Sequence, residues 1–253
     1  MDKAERLRTR DHILELLLVY IANNPEINKD IILRGGNALH FIYASPRHSS
    51  DLDFVAPDFK GKIIKIDKEL SKTSKIDKKR LIIICSTLRR DLLRKKYAYE
   101  IGEGVPFGRV EVLDDKVFGH KQTKGKFSPL LVATPSEIYA DKIYATLNRF
   151  KERGSFKGTD LFDLEYIVES LKGEASEEEI ERKAKHYNFI GYDKQTVESI
   201  LMRIIDPKLH DTYRRGIRRT MMPDFYNEQE FDKEYFERCA RHFERLRKLV
   251  KSN

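Results

Sequence analysis

Residues 33–54 read LRGGNALHFIYASPRHSSDLDF, and this stretch decides the fold. The apolar run Ile31-Ile32-Leu33 has the composition of a short buried strand, and it leads directly into Gly35-Gly36. Asn37 to Tyr43 has room for one or two helical turns. A second strand follows, with Leu52, Phe54 and Val55 apolar and Pro57 ending it. Asp51 and Asp53 stand two apart on that strand, so their carboxylates point to one face. Like charges this close repel, and at neutral pH they require a cation or a shared proton. Mg²⁺ takes oxygen ligands and commonly binds one or two carboxylates together with substrate phosphates. A bare Asp-x-Asp reads equally as a turn or a pair of surface acids. The glycines narrow the choice, because they let backbone N–H groups approach a phosphate and a helix start favours an anion. Gly-Gly alone also reads as a plain tight turn, and no Gly-Lys-Ser/Thr follows it, which excludes a P-loop. Arg47 and Ser49, just before the acids, suit phosphate contact or the fixing of Asp51; ordinary loop chemistry is the plainer reading.

On either side of this stretch the chain changes character. Ile13, Leu16, Leu17, Tyr20 and Ile21 follow helical spacing, so residues 5–23 are predicted as a helix. Residues 62–80 are lysine-rich and suit helix or loop. Leu81 to Cys85 is a β-type apolar run, and Tyr97–Ile101 and Arg109–Leu113 are predicted strands separated by a glycine-rich turn. Glu111 interrupts the last of these strands and is a candidate third metal-binding carboxylate; an outward-facing strand residue is the equal alternative. Beyond about residue 125 the pattern is helical. Thr134-Pro135-Ser136-Glu137 is a helix start with a cap, a first-turn proline and a capping-box acid. Tyr139, Ile143, Leu147 and Phe150 form an apolar stripe, a second helix carries Leu161, Leu164, Val168 and Leu171, and further helices are predicted near 176–187, 193–205 and 231–250. An α/β half followed by a helical half implies two domains, 1–130 and 131–253.

The 253 residues carry a net charge of +8, and its location matters more than its size. Residues 60–100 hold 14 Lys or Arg against 5 Asp or Glu, so the rest of the chain is near neutral. A concentrated basic segment suits nucleic acid or nucleotide phosphate; a solvated lysine surface is the alternative. Arg214, Arg215, Arg218 and Arg219 form a second basic cluster, beside which Tyr213 and Tyr226 suit either base stacking or packing. Cys85 and Cys239 are far apart and lack metal-ligand spacing, which fits a reduced, cytoplasmic protein. No run approaches the roughly 18 apolar residues of a membrane span.

Gly35-Gly36-x-x-Leu39 followed by Arg47-x-Ser49-x-Asp51-Leu52-Asp53-Phe54 resembles the signature of the AbiEii/AbiGii-type nucleotidyltransferases, toxins within the DNA polymerase β-like superfamily. A second block, Ser136 to Ala145, resembles the family's second helix, with its catalytic lysine at Lys142. Lys157-Gly158-Thr159-Asp160-Leu161-Phe162-Asp163-Leu164 resembles its Arg/Lys-Asp-x-x-Asp-Leu, although Gly158-Thr159 separates the basic residue from Asp160. Either acid matches in type; Asp163 is preferred, and pairing with a neighbour such as Arg149 is its plainer role. The likeness covers roughly residues 31–170. It implies an α+β chain: a polymerase β-like domain, with a small mixed sheet and flanking helices, then a C-terminal helical bundle contributing Lys142 and Asp163 to the cleft. It implies transfer of a nucleotide from an NTP to an acceptor hydroxyl. The catalytic set is Asp51, Asp53, Lys142 and Asp163, with Gly35, Gly36, Arg47, Ser49 and Lys142 on the nucleotide and Asp51, Asp53 and Glu111 on Mg²⁺ or Mn²⁺. The implied acceptor is RNA, at the tRNA 3′ end, and an antitoxin is the implied partner. The alternatives are a protein or small-molecule acceptor, and a nucleic-acid-binding module without catalysis.

Overall fold

In the computed structural model, which describes residues 1–72, 81–99, 104–187 and 194–249, the chain divides into two compact units, Met1–Thr134 and Pro135–Asn253. In the first, the apolar run at Ile32 becomes β1 (Ile32–Arg34), the glycines open α2 (Gly35–Phe41), and the acidic strand is β2 (Asp51–Val55). β1 and β2 pair antiparallel, with Leu33 opposite Phe54 and Arg34 opposite Asp53. Around them lie α1 (Lys3–Ala22), α3 (Phe59–Ser71), β3 (Ile82–Leu88), β4 (Leu92–Ala98), β5 (Gly108–Leu113), β6 (His120–Gln122) and β7 (Leu131–Ala133). The seven strands form one mixed sheet in the order β3-β4-β5-β2-β1-β7-β6, parallel at β2/β5 and β1/β7 and antiparallel elsewhere. A mixed sheet was expected here, but seven strands make it larger than small.

Alternation decides the two faces. Leu52 and Phe54 of β2, Val110 and Val112 of β5, and Leu93 and Tyr97 of β4 are wholly buried, while Asp51, Asp53, Arg109 and Glu111 are partly exposed. α1 crosses β5 at Gly108, where a Cβ would lie 2.7 Å from Leu14 Cδ2, so only glycine admits the helix so close. The strand predicted at Tyr97–Ile101 instead begins at Leu92 and ends at Ala98; residue 101 lies outside the described residues. The charged run Arg94-Lys95-Lys96 concealed its start. Lys95 is in fact an inward position, 3 % exposed, with Nζ 2.9 Å from Asp67 and donating to Ser71 and Ser86. Of the lysine-rich stretch 62–80, the part to Ser71 is α3, and residues 73–80 lie outside the described residues. β6 and β7 have three residues each, too few for a period to register.

The second unit carries α4 (Pro135–Arg153), α5 (Gly158–Leu171), α6 (Glu177–His186), α7 (Lys194–Ile205), α8 (Pro207–Arg218) and α9 (Lys233–Leu249). Its core begins with the α4 stripe: Tyr139, Ile143 and Leu147 are buried, and α4 packs on α5, α6 and α7. α6, α7 and α9 stand where helices were expected, although residues 193 and 250 lie outside the described ones. α8 was not foreseen, because its apolar face is only Tyr213 and Ile217 with His210. Asp206 caps it by accepting from the Lys208 N–H, and Pro207 opens it. Gly158, the residue that breaks the family-like spacing, sits where α5 meets α8. A Cβ there would lie 2.5 Å from the Tyr213 carbonyl oxygen.

Candidate active site

Backbone conformation and neighbouring side chains explain the glycine pair. Gly35 has φ of +74°, a left-handed conformation that favours glycine, and a Cβ on it would lie 2.6 Å from Asp53 Oδ2. A Cβ on Gly36 would run into the Arg47 guanidinium and lie 3.2 Å from Ser49 Oγ. The turn is therefore pressed against both the Asp-x-Asp strand and the loop before it. Gly35, Gly36, Arg47, Ser49 and Asp53 meet in one place. Asn37, the next residue of α2, donates from Nδ2 to the Asp51 carbonyl at 2.7 Å, tying the helix to β2.

Asp51 and Asp53 share the partly exposed face of β2. Beside them on β5, Arg109 pairs with Asp51 and Glu111 with Asp53 in register. Arg109 Nε lies 3.3 Å from Asp51 Oδ1, and its Nη1 lies 3.0 Å from Glu111 Oε1. Arg94 of β4 reaches the same Glu111 oxygen at 2.7 Å. Burial alone would lower the Arg109 pKa, but Asp51 and Glu111 outweigh it and hold the guanidinium's pKa above its ordinary value. The donor set of Asp51 and Asp53, oxygen only and reachable by solvent, fits a hard divalent cation. Glu111 is differently placed: its Oε1 accepts from both Arg94 and Arg109. Arg10 of α1 is a further cation near Asp51. Burial pushes its pKa down, while Asp11 and Asp51 push it up.

In the second unit, Lys142, Arg149, Asp160 and Asp163 come together. Lys142 Nζ lies 2.6 Å from Asp163 and 3.3 Å from Asp160, and Arg149 pairs with Asp160. Asp163 is thus the closer carboxylate to Lys142, and it is Asp160, not Asp163, that meets Arg149. Glu137, expected as a capping-box acid, ion-pairs with the buried Lys183 at 2.6 Å; Asp141 holds the same ammonium at 2.7 Å.

Asn37, Arg109 and Arg10 were missing from the sequence reading. Asn37 follows the glycines directly, and Arg109 shares strand parity with Glu111, so both carried a faint signal. Arg10 carried none, since only the fold brings α1 to β2. Tyr213 and Tyr226 are packing residues: Tyr213 stacks on Phe156 and Tyr226 on Phe231. Of the second basic cluster, Arg214 donates to the Phe231 carbonyl and Arg218 lies over the Tyr226 ring. Cys85 and Cys239 are both free thiols.

A glycine turn pressed on an Asp-x-Asp strand, inside a mixed sheet, has the chemistry to hold a phosphate beside a divalent cation. The model of the family described as the nucleotidyl transferase AbiEii toxin of type IV toxin–antitoxin systems matches residues 17–239, and the chain belongs to that family. It is a nucleotidyltransferase, and membership of such a system implies an NTP substrate and an antitoxin partner. The fold is similar to that of JHP933 from Helicobacter pylori, at 16 % identity and a TM-score of 0.55, covering 98 % of this chain and 94 % of that one. It is also similar to MenT4, a nucleotidyltransferase toxin from Mycobacterium tuberculosis, at 16 % identity and a TM-score of 0.54, covering 100 % of this chain and 96 % of that one. No curated protein sequence matches the chain. Among the described residues, no helix is long and apolar enough to cross a membrane.

Proposed function

We propose that the protein transfers a nucleoside monophosphate from an NTP to an RNA hydroxyl, with Asp51 and Asp53 as the metal-binding carboxylates. The observation that carries this is the contact of Gly35 with Asp53, which puts the phosphate-approach turn beside the carboxylate pair. An acceptor hydroxyl gives up its proton to solvent as its oxygen forms a bond to the α-phosphorus, the bond from that phosphorus to the bridging oxygen breaks, and pyrophosphate leaves. Such displacement depends on alignment and charge neutralisation. A bound Mg²⁺ or Mn²⁺ would supply Lewis-acid stabilisation of the phosphate charge. Gly35, Gly36, Ser49 and Arg47 would cradle the phosphates, and Lys142, on its place in the family pattern, would meet the triphosphate with Asp163 orienting its ammonium. Glu111 serves better as the anchor of Arg109 than as a third ligand.

The acceptor reading, the 3′ end of tRNA, rests on the family resemblance and on basic residues that remain at the surface. Lys62, Lys65, Lys72 and Lys95 are spent in ion pairs with acids of the same unit. Arg89 and Arg90 in the β3–β4 turn are exposed and suit a phosphate backbone. The test is incubation of purified protein with α-labelled NTPs, Mg²⁺, and total RNA or total protein. Label at RNA 3′ ends is expected. Label only on protein would sink the RNA acceptor, and RNA binding without transfer from any NTP would leave a binding module.

A further inference from the structure

Among the described residues, one group of three metal-ligating side chains converges, and the transfer chemistry makes no use of it. Asp11 of α1, His40 of α2 and His48 of the loop before β2 place one donor atom each within 4.8 Å of one another. His40 Nε2 lies 3.2 Å from Asp11 Oδ2, and His48 Nδ1 contacts the same oxygen. The imidazole rings are tilted by 50° with centroids 4.6 Å apart, and His48 is buried.

The hydrogen bonding fixes the chemistry. His40 Nδ1 lies 2.7 Å from the Ser45 carbonyl oxygen, which can only accept, so Nδ1 carries the proton. In neutral His40 the Nε2 lone pair then faces a carboxylate lone pair, which is repulsive unless a cation stands between them. That cation is either a second proton on His40 or a metal ion. A histidine that donates one ring N–H to a carbonyl and aims the other nitrogen at a shared centre has the orientation of a metal ligand. The other Asp11 oxygen, Oδ1, is buried and has no hydrogen-bond partner.

We propose that Asp11, His40 and His48 bind a divalent transition-metal ion of the zinc class, distinct in donor set from the oxygen site of Asp51 and Asp53. Two imidazoles and a carboxylate suit Zn²⁺, whereas Mg²⁺ takes oxygen ligands. In a tetrahedral site, ligands about 2.0–2.1 Å from the metal stand about 3.3 Å apart, close to the His40–Asp11 separation. A modest outward turn of His48 completes the triangle and leaves a fourth position for solvent. The ion would pin α1 and α2 to the loop that carries Arg47 and Ser49. It is therefore a positioning site.

Co²⁺ serves as the probe, because tetrahedral nitrogen and oxygen coordination gives it visible absorption. Chelator-stripped protein titrated with Co²⁺ is expected to bind one equivalent that Zn²⁺ displaces, with a melting temperature that rises with metal concentration. The signal should survive Asp51→Asn and be lost in His40→Gln. Should His40→Gln fail to fold, NMR of the wild-type imidazole nitrogens decides, since two of the seven histidines should shift with Zn²⁺. Absence of binding, loss of the signal in Asp51→Asn with retention in His40→Gln, or no histidine shift would each overturn the proposal. None of these readouts depends on nucleotide transfer.

Discussion

The two halves of the chain each gather carboxylates and cations, and they use them differently. On β2, Asp51 and Asp53 lie on a partly exposed sheet face; the side chain of Asp51 is 26 % exposed, and that of its neighbour Arg109 is 29 %. Between α4 and α5, the side chain of Asp163 is 0 % exposed and that of Asp160 5 %, and their charge is met at once by Lys142 and Arg149. The first arrangement leaves solvent and ligands a way in. The second is a desolvated network in which each charge is compensated by a neighbour. Removing one member of a buried pair costs far more than the pair contributes, because the remaining charge stays buried. The same kind of residue is thus charge-compensated in a buried network in one half and left partly open on a sheet face in the other.

The largest expected effect comes from the open side. Asp51→Asn keeps the shape of the side chain and removes its charge, so nucleotide transfer should fall to background while the melting temperature changes little. Labelled-NTP transfer and thermal melting of one preparation check both. A large drop in stability would mean that Asp51 also belongs to a structural network, and the contrast would fail.

Next in size is the closed side. Asp163→Ala should destabilise by about 3–5 kcal/mol in urea unfolding, because Lys142 is left sharing Asp160 with Arg149. Asp160→Ala should cost less, since the Arg149 side chain is 23 % exposed and can turn to water. Equal losses would show that the two acids act as one unit. A variant pair with the reverse order would place the anchor at Asp160.

Much of this contrast could be read in the sequence on one side and little on the other. Gly35, Gly36, Asp51 and Asp53 carry their chemistry in short spacings, so the turn and the strand face were visible. The order of an α/β half before a helical half was visible too, from hydrophobic period alone. Asp11 was not, because its partners His40 and His48 lie 29 and 37 residues away and meet it only after folding. Lys95 misled: it looks solvated in a basic run, yet strand parity turns it inward to Asp67. α8 stayed hidden because its buried face is only His210, Tyr213 and Ile217, set among arginines that read as a basic cluster.

A smaller effect tests how the glycine segment is held without charge. Tyr43, just beyond α2, donates from its hydroxyl to the Ala133 carbonyl of β7 at 2.7 Å, and burial pushes its pKa up to about 12. Tyr43→Phe should cost about 1 kcal/mol in urea unfolding, the net value of one neutral hydrogen bond. A loss as large as that of Asp163→Ala would mean that this half is anchored as strongly as the other.

The smallest effect is a pH slope in the helical unit. His210 of α8 lies 3.8 Å from Phe236, nearly parallel to its ring, and donates from Nε2 to the Ile204 carbonyl. Burial lowers its pKa and Arg214 adds to this, while the carbonyl bond, Asp206 and Asp211 oppose it; the net shift is downward. The unfolded chain, with a histidine pKa near 6.5, therefore takes up the proton before the folded one does. Stability from this group is complete above about pH 6.5 and is lost as pH falls from there through the lower folded value. His210→Gln should flatten that part of the stability profile, measured by urea unfolding across the range, while leaving the slope from carboxylates at lower pH. If the slope is unchanged, the acid sensitivity of this half comes from its carboxylate–lysine and carboxylate–arginine pairs, and the closed network is the more pH-sensitive of the two regions.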